Sequence, residues 1–277
     1  MCVRSEFYDM SKSAQAMQYH VPGEDLDVSD LISASGERVL PAEKRPETVV
    51  IMAGGLGQRM MPLTRELPKP MLPLKGRPIL EHVIAQMIGQ GFHKFVFSVR
   101  HLADQIRDYF SDGEAWGVRI EYIEEPHRLG TGGSLAFLET DSELPIIVAN
   151  ADLITDLDYR KVLSSHDAGT MVTMCTRQVE FQIPYGVVET LSDRVLSVVE
   201  KPTQSVTISA GMYLVSPRLR EHIEKGEHID MPDLIQRVIE AGHQVMDFPI
   251  SDRWVDVGRR STYERVVEYL NNGPVSE

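Results

Sequence analysis

Val49-Val50-Ile51-Met52-Ala53-Gly54-Gly55-Leu56-Gly57-Gln58-Arg59 decides how the rest of the chain is read. An apolar, β-branched run stops abruptly at a glycine cluster, the pattern of a buried parallel strand ending in a tight loop. Gly54, Gly55 and Gly57 open backbone conformations closed to other residues and let a ligand approach the main chain. Successive N–H groups in such a loop form an anion-binding concavity. Arg59 adds a planar fork for phosphate oxygens, and Lys69, in Pro68-Lys69-Pro70, a compact ammonium further along the same loop. The loop fits neither common phosphate fingerprint: Gly-x-x-x-x-Gly-Lys-Ser/Thr and Gly-x-Gly-x-x-Gly are both absent from it.

Working outward, strands and helices alternate from Thr48 onward. Ile79, Leu80, Val83, Ile84, Met87 and Ile88 recur at a helical period between Pro78 and Gln90, and Gly89 and Gly91 close that helix. A short strand is expected over 95–99, an amphipathic helix over 102–110, a strand over 118–123, a helix over 131–138 and a buried strand over 145–149. This order predicts a Rossmann-like α/β fold, a mostly parallel mixed sheet flanked by helices. Ligands in such folds collect beyond the carboxyl ends of the strands, where Gly55, Glu124 and Asp152 all fall. The second half reads as further strand over 170–176, 185–189, 195–199 and 206–215. A helix opening at Asp230, with Asp230 at its N-cap and Pro232 in its first turn, runs to about Ala241. A strand over 244–248 and a closing helix over 261–270 follow.

Composition bounds the function. The chain has 277 residues, 42% hydrophobic and 25% charged, ordinary for a globular protein of one large α/β domain. A net charge of −13 argues against sequence-blind nucleic-acid binding, which needs a basic face. Cys2 and Cys175 offer neither a disulfide framework nor metal-ligand spacing, so a reducing cytoplasm is the default expectation. No apolar run reaches membrane-spanning length, and the start lacks a signal-peptide pattern. Residues 1–46 read as a leader and linker ahead of a domain at 47–277. An interaction arm on another subunit is the livelier alternative.

The whole segment from Gly54 to Pro70, Gly-Gly-x-Gly-x-Arg followed ten residues after Arg59 by Lys-Pro, resembles the signature of sugar-nucleotide pyrophosphorylases. These are the sugar-1-phosphate nucleotidyltransferases, and the landmark motifs run in the family's order from about Val49 to Arg265. The resemblance is strongest to bacterial guanylyltransferases related to mannose-1-phosphate and glucosamine-1-phosphate guanylyltransferase. It implies the nucleotide-diphospho-sugar transferase fold and transfer of a nucleoside monophosphate from an NTP to a sugar 1-phosphate, releasing pyrophosphate. It also implies Mg²⁺, no covalent enzyme intermediate, and a homo-oligomer as one arrangement seen among relatives.

Residue by residue, the resemblance assigns Ala53, Gly54, Gly55 and Gly57 to the nucleotide and Arg59 and Lys69 to catalysis. Glu124-Glu125-Pro126-His127-Arg128-Leu129-Gly130-Thr131-Gly132-Gly133 corresponds to the base-binding region, with Glu124, Gly130 and Thr131 as its contacts. A carboxylate only accepts, and guanine offers two adjacent donors, so GTP is favoured over UTP or dTTP. The same glutamates also read as solvated residues at a strand end. Ile146-Ile147-Val148-Ala149-Asn150-Ala151-Asp152 ends a buried strand in a carboxylate, and the resemblance makes Asp152 a Mg²⁺ ligand. A lone Asp there is more often a cap, the reading given to Asp156 and Asp158. Trp254-Val255-Asp256-Val257-Gly258 matches the family's W-x-D-x-G, which makes Asp256 the partner ligand. Tyr185, Gly186 and Glu200 are assigned to the sugar, and Lys201, in Glu200-Lys201-Pro202, to its phosphate. Gly211 in Ser209-Ala210-Gly211-Met212-Tyr213 completes the sugar set, with Ser209 where the family usually has Asn. Glucosamine, N-acetylglucosamine and mannose 1-phosphate are the sugars left open, and a non-catalytic regulatory subunit is the alternative class.

Overall fold

The computed structural model describes Ile32, residues 43–140 and residues 142–272. Most of the expected leader lies outside the described residues, but its boundary moves. Strand β1 (Arg45–Met52) already contains Arg45 and Pro46, and Arg45 N–H donates to the carbonyl of Gly91 at 2.9 Å. The described residues divide into two compact units; the smaller holds residues 178–206 and the larger the remainder.

In chain order the elements after β1 are β2 (Pro73–Leu74), β3 (Arg77–Pro78), α1 (Ile79–Gly89), β4 (Phe92–Val99), α2 (Ala103–Phe110), β5 (Arg119–Glu124) and α3 (Gly130–Gly133). There follow β6 (Ile146–Asn150), β7 (Leu153–Thr155), α4 (Tyr159–Ser164), β8 (Thr170–Gln182), β9 (Gly186–Leu191), β10 (Arg194–Glu200) and β11 (Thr203–Val215). The chain closes with α5 (Met231–Glu240), β12 (Gln244–Pro249), β13 (Trp254–Asp256) and α6 (Arg260–Asn272). Seven strands form one sheet in the order β12-β8-β11-β6-β1-β4-β5. β1 pairs parallel with β4 and β6, β4 parallel with β5, and β12 parallel with β8, whereas β11 runs antiparallel to β6. The expected mostly parallel mixed sheet flanked by helices is the fold.

Strand alternation splits the core in two, because successive side chains point to opposite faces. On β1, Val49 and Ile51 enter one cluster with Leu80 and Ile84 of α1 and Phe95 and Phe97 of β4. Val50 enters the other, with Val96, Val148, Leu135, and Leu234 of α5. All three β1 side chains are fully buried, each worth roughly 1.5–3 kcal/mol relative to exposure. Gly91 ends the turn after α1 at φ +98, and a Cβ there would strike the carbonyl of Glu43, so the entry into β4 needs glycine.

Two expectations fail locally. The helix expected over 131–138 breaks into the single turn α3 and a 3₁₀ turn, Ser134–Phe137. Three of the four residues of α3 are glycine, a poor helix former, and the N–H groups of Gly132 and Gly133 turn to the carbonyl of Ile229 at 2.9 and 3.1 Å. β8 and β11 are also longer than expected, thirteen residues each. No helix among the described residues is long and apolar enough to cross a membrane.

The smaller unit contains the antiparallel hairpin β9–β10, in which Val188 faces Val198 and Gly186 faces Glu200. Val188, Leu191, Val195, Leu196, Val198 and Val199 of this hairpin are all at least half exposed.

Candidate active site

β1 delivers the glycine loop to the carboxyl edge of the sheet, and its neighbours hold it there. Ala53 N–H donates to the Ser98 carbonyl on β4 at 2.8 Å, and Ala151 N–H, just past β6, to the Met52 carbonyl at 3.3 Å. The three glycines serve different needs. A Cβ on Gly54 would overlap the carboxylate of Glu125, while one on Gly55 would meet nothing within 4 Å. Gly57 sits in the left-handed region at φ +61, its carbonyl accepting from the Thr64 hydroxyl at 2.9 Å. Short 3₁₀ turns, Gln58–Met60 and Lys69–Met71, then carry Arg59 and Lys69.

Two carboxylates meet below this loop. Asp152 follows β6, and Asp256 ends β13, whose pairing with β7 sets Asp256 beside Leu153. Val257 N–H donates to the Asp152 carbonyl at 3.0 Å, and Gly258 N–H to Asp256 Oδ1 at 2.8 Å. A Cβ on Gly258 would strike an oxygen of each carboxylate, so the glycine of the W-x-D-x-G segment makes room for the pair. Lys69 Nζ lies 2.5 Å from Asp152 Oδ2, and both side chains are largely buried. Burial, and next the charge of Asp152, push the Asp256 carboxyl up to about 6. Two crowded carboxylates offering only oxygen suit a hard divalent cation. Among the described residues no cluster of three or more His, Cys, Asp or Glu side chains surrounds the point, so further ligands would have to come from water or substrate oxygens.

A cavity of about 200 Å³ joins these elements. Ala53, Gly54, Gly55, Arg59, Lys69, Gly130, Thr131, Asp152 and Asp256, all expected from the sequence, line it. Met52, Pro70, Glu125, Arg128, Asn150 and Asp230 line it too. Gly57 shapes the loop without lining the cavity.

Glu124 is not among the lining residues. Its exposed carboxylate accepts from Arg107 on α2 at 2.7 Å, and Glu125 takes the inward position instead. Glu125 Oε1 accepts from the Ser98 hydroxyl at 2.7 Å and Oε2 from Leu129 N–H at 3.3 Å. A period of two along β5 places Glu125 on the side of buried Ile123 and Glu124 on that of buried Ile120, so the choice also needs Arg107, which pairs with Glu124.

The glycines after Leu129 also pack on a second chain segment. At Gly130, Gly132 and Gly133 a Cβ would press on the backbone of Glu227, Ile229 or Asp230, and Gly130 also stands at φ +76. Leu129 O accepts from Ile229 N–H at 2.9 Å, completing the backbone seam. Thr131 donates its N–H to Asp230 Oδ1 at 2.9 Å, and its hydroxyl accepts from Met231 N–H at 2.9 Å. The N–H and the hydroxyl of Thr131, a cavity residue, thus both engage the start of α5. Asp230 holds the N-cap position of α5, but its side chain makes no bond to its own helix.

In the smaller unit, Tyr185, Gly186, Glu200 and Lys201 cluster with one another. Lys201 N–H donates to the Tyr185 carbonyl at 3.2 Å, and Glu200 Oε2 would lie 3.1 Å from a Cβ on Gly186. In the larger unit, Gly211, at φ +73, leaves space for the Asn150 amide, which a Cβ would approach to 2.6 Å. Ser209 Oγ pairs with the Tyr213 hydroxyl at 2.7 Å. Of the capping readings, Asp158 does cap α4 through Arg160 N–H, while Asp156 binds Arg253 through both its main-chain N–H and its guanidinium. Trp254 is core, with Nε1 donating to the Ala210 carbonyl at 2.9 Å. Asp230 and Asn150 went unassigned because the first reads as a cap and the second as the end of a strand.

A family model described as nucleotidyl transferase matches residues 48–273. A UTP–glucose-1-phosphate uridylyltransferase of Synechocystis is 29% identical over 239 residues, covering 79% of this chain and 62% of the relative. The mannose-1-phosphate guanylyltransferase catalytic subunit beta of Danio rerio is 31% identical over 219 residues, covering 76% of this chain and 61% of the relative. The chain thus spans a little over three fifths of the length of these relatives. The structure of HddC from Yersinia pseudotuberculosis complexed with GMP-PN superposes with a TM-score of 0.60 at 25% identity, covering 80% of this chain and 98% of that one.

Proposed function

Because the chain belongs to the nucleotidyl transferase family, we propose that it joins an NTP to a sugar 1-phosphate, releasing pyrophosphate and forming an NDP-sugar. The observation that carries this reading is the meeting of Lys69, Asp152 and Asp256 beneath the Gly54–Gly57 loop, in one cavity with Arg59. The sugar phosphate oxygen attacks the α-phosphorus in line, and pyrophosphate leaves with the electron pair of the broken P–O bond. Such a step leaves little covalent work to the protein; orientation and charge neutralisation dominate.

In this reading Arg59 and the loop N–H groups hold the β- and γ-phosphates. Lys69 neutralises charge growing at the α-phosphate. Asp152 and Asp256 would hold Mg²⁺, which when bound supplies positive charge to phosphate oxygens. Lys201, Tyr185, Gly186 and Glu200 are proposed for the sugar and its phosphate, supported by their clustering on one hairpin. Among NTPs, GTP is favoured, because Glu124 and Glu125 stand at the end of β5, a carboxylate accepts from donors and guanine presents two adjacent ones; each Glu125 oxygen keeps a lone pair beyond its bond to Ser98 or Leu129. The uridylyltransferase relative favours UTP as the second reading. For the sugar, mannose or a glucosamine type is proposed, the Danio rerio relative's name pointing to mannose.

Pyrophosphate release with Mg²⁺, across four NTPs and a panel of sugar 1-phosphates, tests the proposal. Release with GTP and one of these sugars is expected. Release with UTP or dTTP alone keeps the reaction and discards the base assignment. Silence with every pair, from folded protein that still binds nucleotide, makes the chain a regulatory subunit.

A further inference from the structure

The geometry points to Asp230 as a specificity residue that accepts a hydrogen bond from a hydroxyl or amino group of the sugar. This rests on the reaction proposed above and narrows it to a residue outside the glycine loop, the metal carboxylates and the hairpin.

Asp230 lines the cavity as one of four carboxylates, and the other three are engaged. Asp152 meets Lys69 and Asp256 takes Gly258 N–H, and in the proposed reaction both go to the cation; Glu125 takes the Ser98 hydroxyl on one oxygen and Leu129 N–H on the other. Asp230 belongs to neither set and uses one oxygen only. Its Oδ1 accepts from Thr131 N–H at 2.9 Å and from the Thr131 hydroxyl at 3.4 Å, while Oδ2 has no hydrogen-bond partner among the described residues. The side chain is therefore fixed at one end and open at the other. It is held by a residue that Met231 N–H fixes in turn.

Chemistry and position select the partner. An ionised carboxylate offers acceptors alone and repels phosphate oxygens, so the group it meets is a hydroxyl or an amine. Glu125 closes the cavity on the β4 flank, through Ser98. Asp230 lies toward the opposite flank of the β6–β1 pair. There the Tyr213 hydroxyl, on β11, has its pKa raised, by burial first and by the Asp230 charge among lesser causes. Asn150, another cavity residue, ends β6 on the same flank, its amide against Gly211 of β11. With the base on the Glu125 flank and phosphates over Arg59 and Lys69, the sugar is the part of the reactants left for Asp230.

Asp230→Asn is the clean variant, because the amide oxygen can keep the bond from Thr131 N–H while the free position changes from acceptor to donor. The KM for the sugar 1-phosphate is expected to rise about 10- to 100-fold, the loss of one hydrogen bond to a charged group, with the KM for the NTP within about 2-fold and the melting temperature unchanged. Deoxy sugar phosphates sharpen the test. For the hydroxyl that is read, wild type with the deoxy substrate should lose as much as the variant with the full substrate, with no further loss when the two are combined. An unchanged sugar KM, or a rise confined to the NTP, overturns the inference and leaves the reaction standing. A wild type silent with every pair overturns both.

Discussion

At one end of the cleft Lys69, Asp152 and Asp256 meet as charged side chains; at the other, Gly130–Gly133 and Glu227–Met231 meet as bare backbone. The first arrangement sets two like charges together in a buried place, which works against stability and, in the proposed reaction, would serve an incoming cation or phosphate. The second spends its glycines on close approach and leaves Oδ2 of Asp230, a cavity residue, without a hydrogen-bond partner among the described residues. The difference teaches that one sequence feature, a glycine cluster after a strand, can open onto a cavity in one place and admit the protein's own chain in another.

The largest expected effect lies at the charged end. Asp152→Asn should lower turnover by at least ~10²-fold, as for other lost electrostatic stabilisers, with the fold intact. Pyrophosphate release and a thermal melt on the same sample check both halves, and near-normal turnover would sink the assignment.

Exchanging glycine for alanine at the two ends separates ligand from chain directly. At Gly133 a Cβ would be driven into the carbonyl of Glu227, so Gly133→Ala should cost ~1–3 kcal/mol in urea unfolding. At Gly55 a Cβ meets open space, so Gly55→Ala should stay within ~0.5 kcal/mol while turnover falls, since the new methyl points where the loop admits a ligand. A stable Gly133→Ala, or an unstable but active Gly55→Ala, would reverse the comparison.

This contrast also marks what the sequence makes legible. β1, its loop and the end of β6 leading to Asp152 are local patterns, an apolar run followed within a few residues by the candidate group, and strand order places them at one edge. Asp256 is legible only through the resemblance of its W-x-D-x-G segment, because β13 pairs with β7 outside the seven-stranded sheet. The seam between Leu129–Gly133 and Ile229–Met231 joins residues about a hundred positions apart. Nothing in the 130–133 stretch says that its glycines await another chain segment, so it reads as a ligand loop and a longer helix. Glu124 and Glu125 fall between the cases. The composition is plain, and the choice between neighbours needed the two-residue period of β5 and the presence of Arg107 on α2. Asp230 was visible as a helix start, and only the fold turns its side chain away from that helix.

A smaller effect is expected from Thr131→Val, which keeps the shape and removes the hydroxyl. Met231 N–H loses its acceptor, at a cost of ~1–2 kcal/mol read by thermal or urea unfolding. The main-chain bond from Thr131 to Asp230 remains, so sugar KM should move less than in Asp230→Asn. An equal rise in both variants would mean that the hydroxyl, not the main chain, aims Asp230.

The smallest effect concerns acid at the seam. The Glu227 carboxylate accepts from Arg237 at 2.5 and 2.9 Å and from Glu224 N–H at 3.2 Å, while its own carbonyl packs on Gly133. The Arg237 hydrogen bonds, foremost, hold its pKa down to about 2, against an ordinary 4.5. A carboxyl depressed in the folded state contributes stability that is complete above about 4.5 and is lost as pH falls toward 2. The pair is solvent-accessible, so the contribution is small and weakens with salt. Melting temperatures of wild type and Glu227→Gln between about pH 6 and pH 3 isolate it. The two should differ most at the upper end and converge on acidification, because the amide has no proton to take up. Parallel curves would mean that Arg237 does as much for a neutral partner, and that the seam is held by its backbone contacts alone.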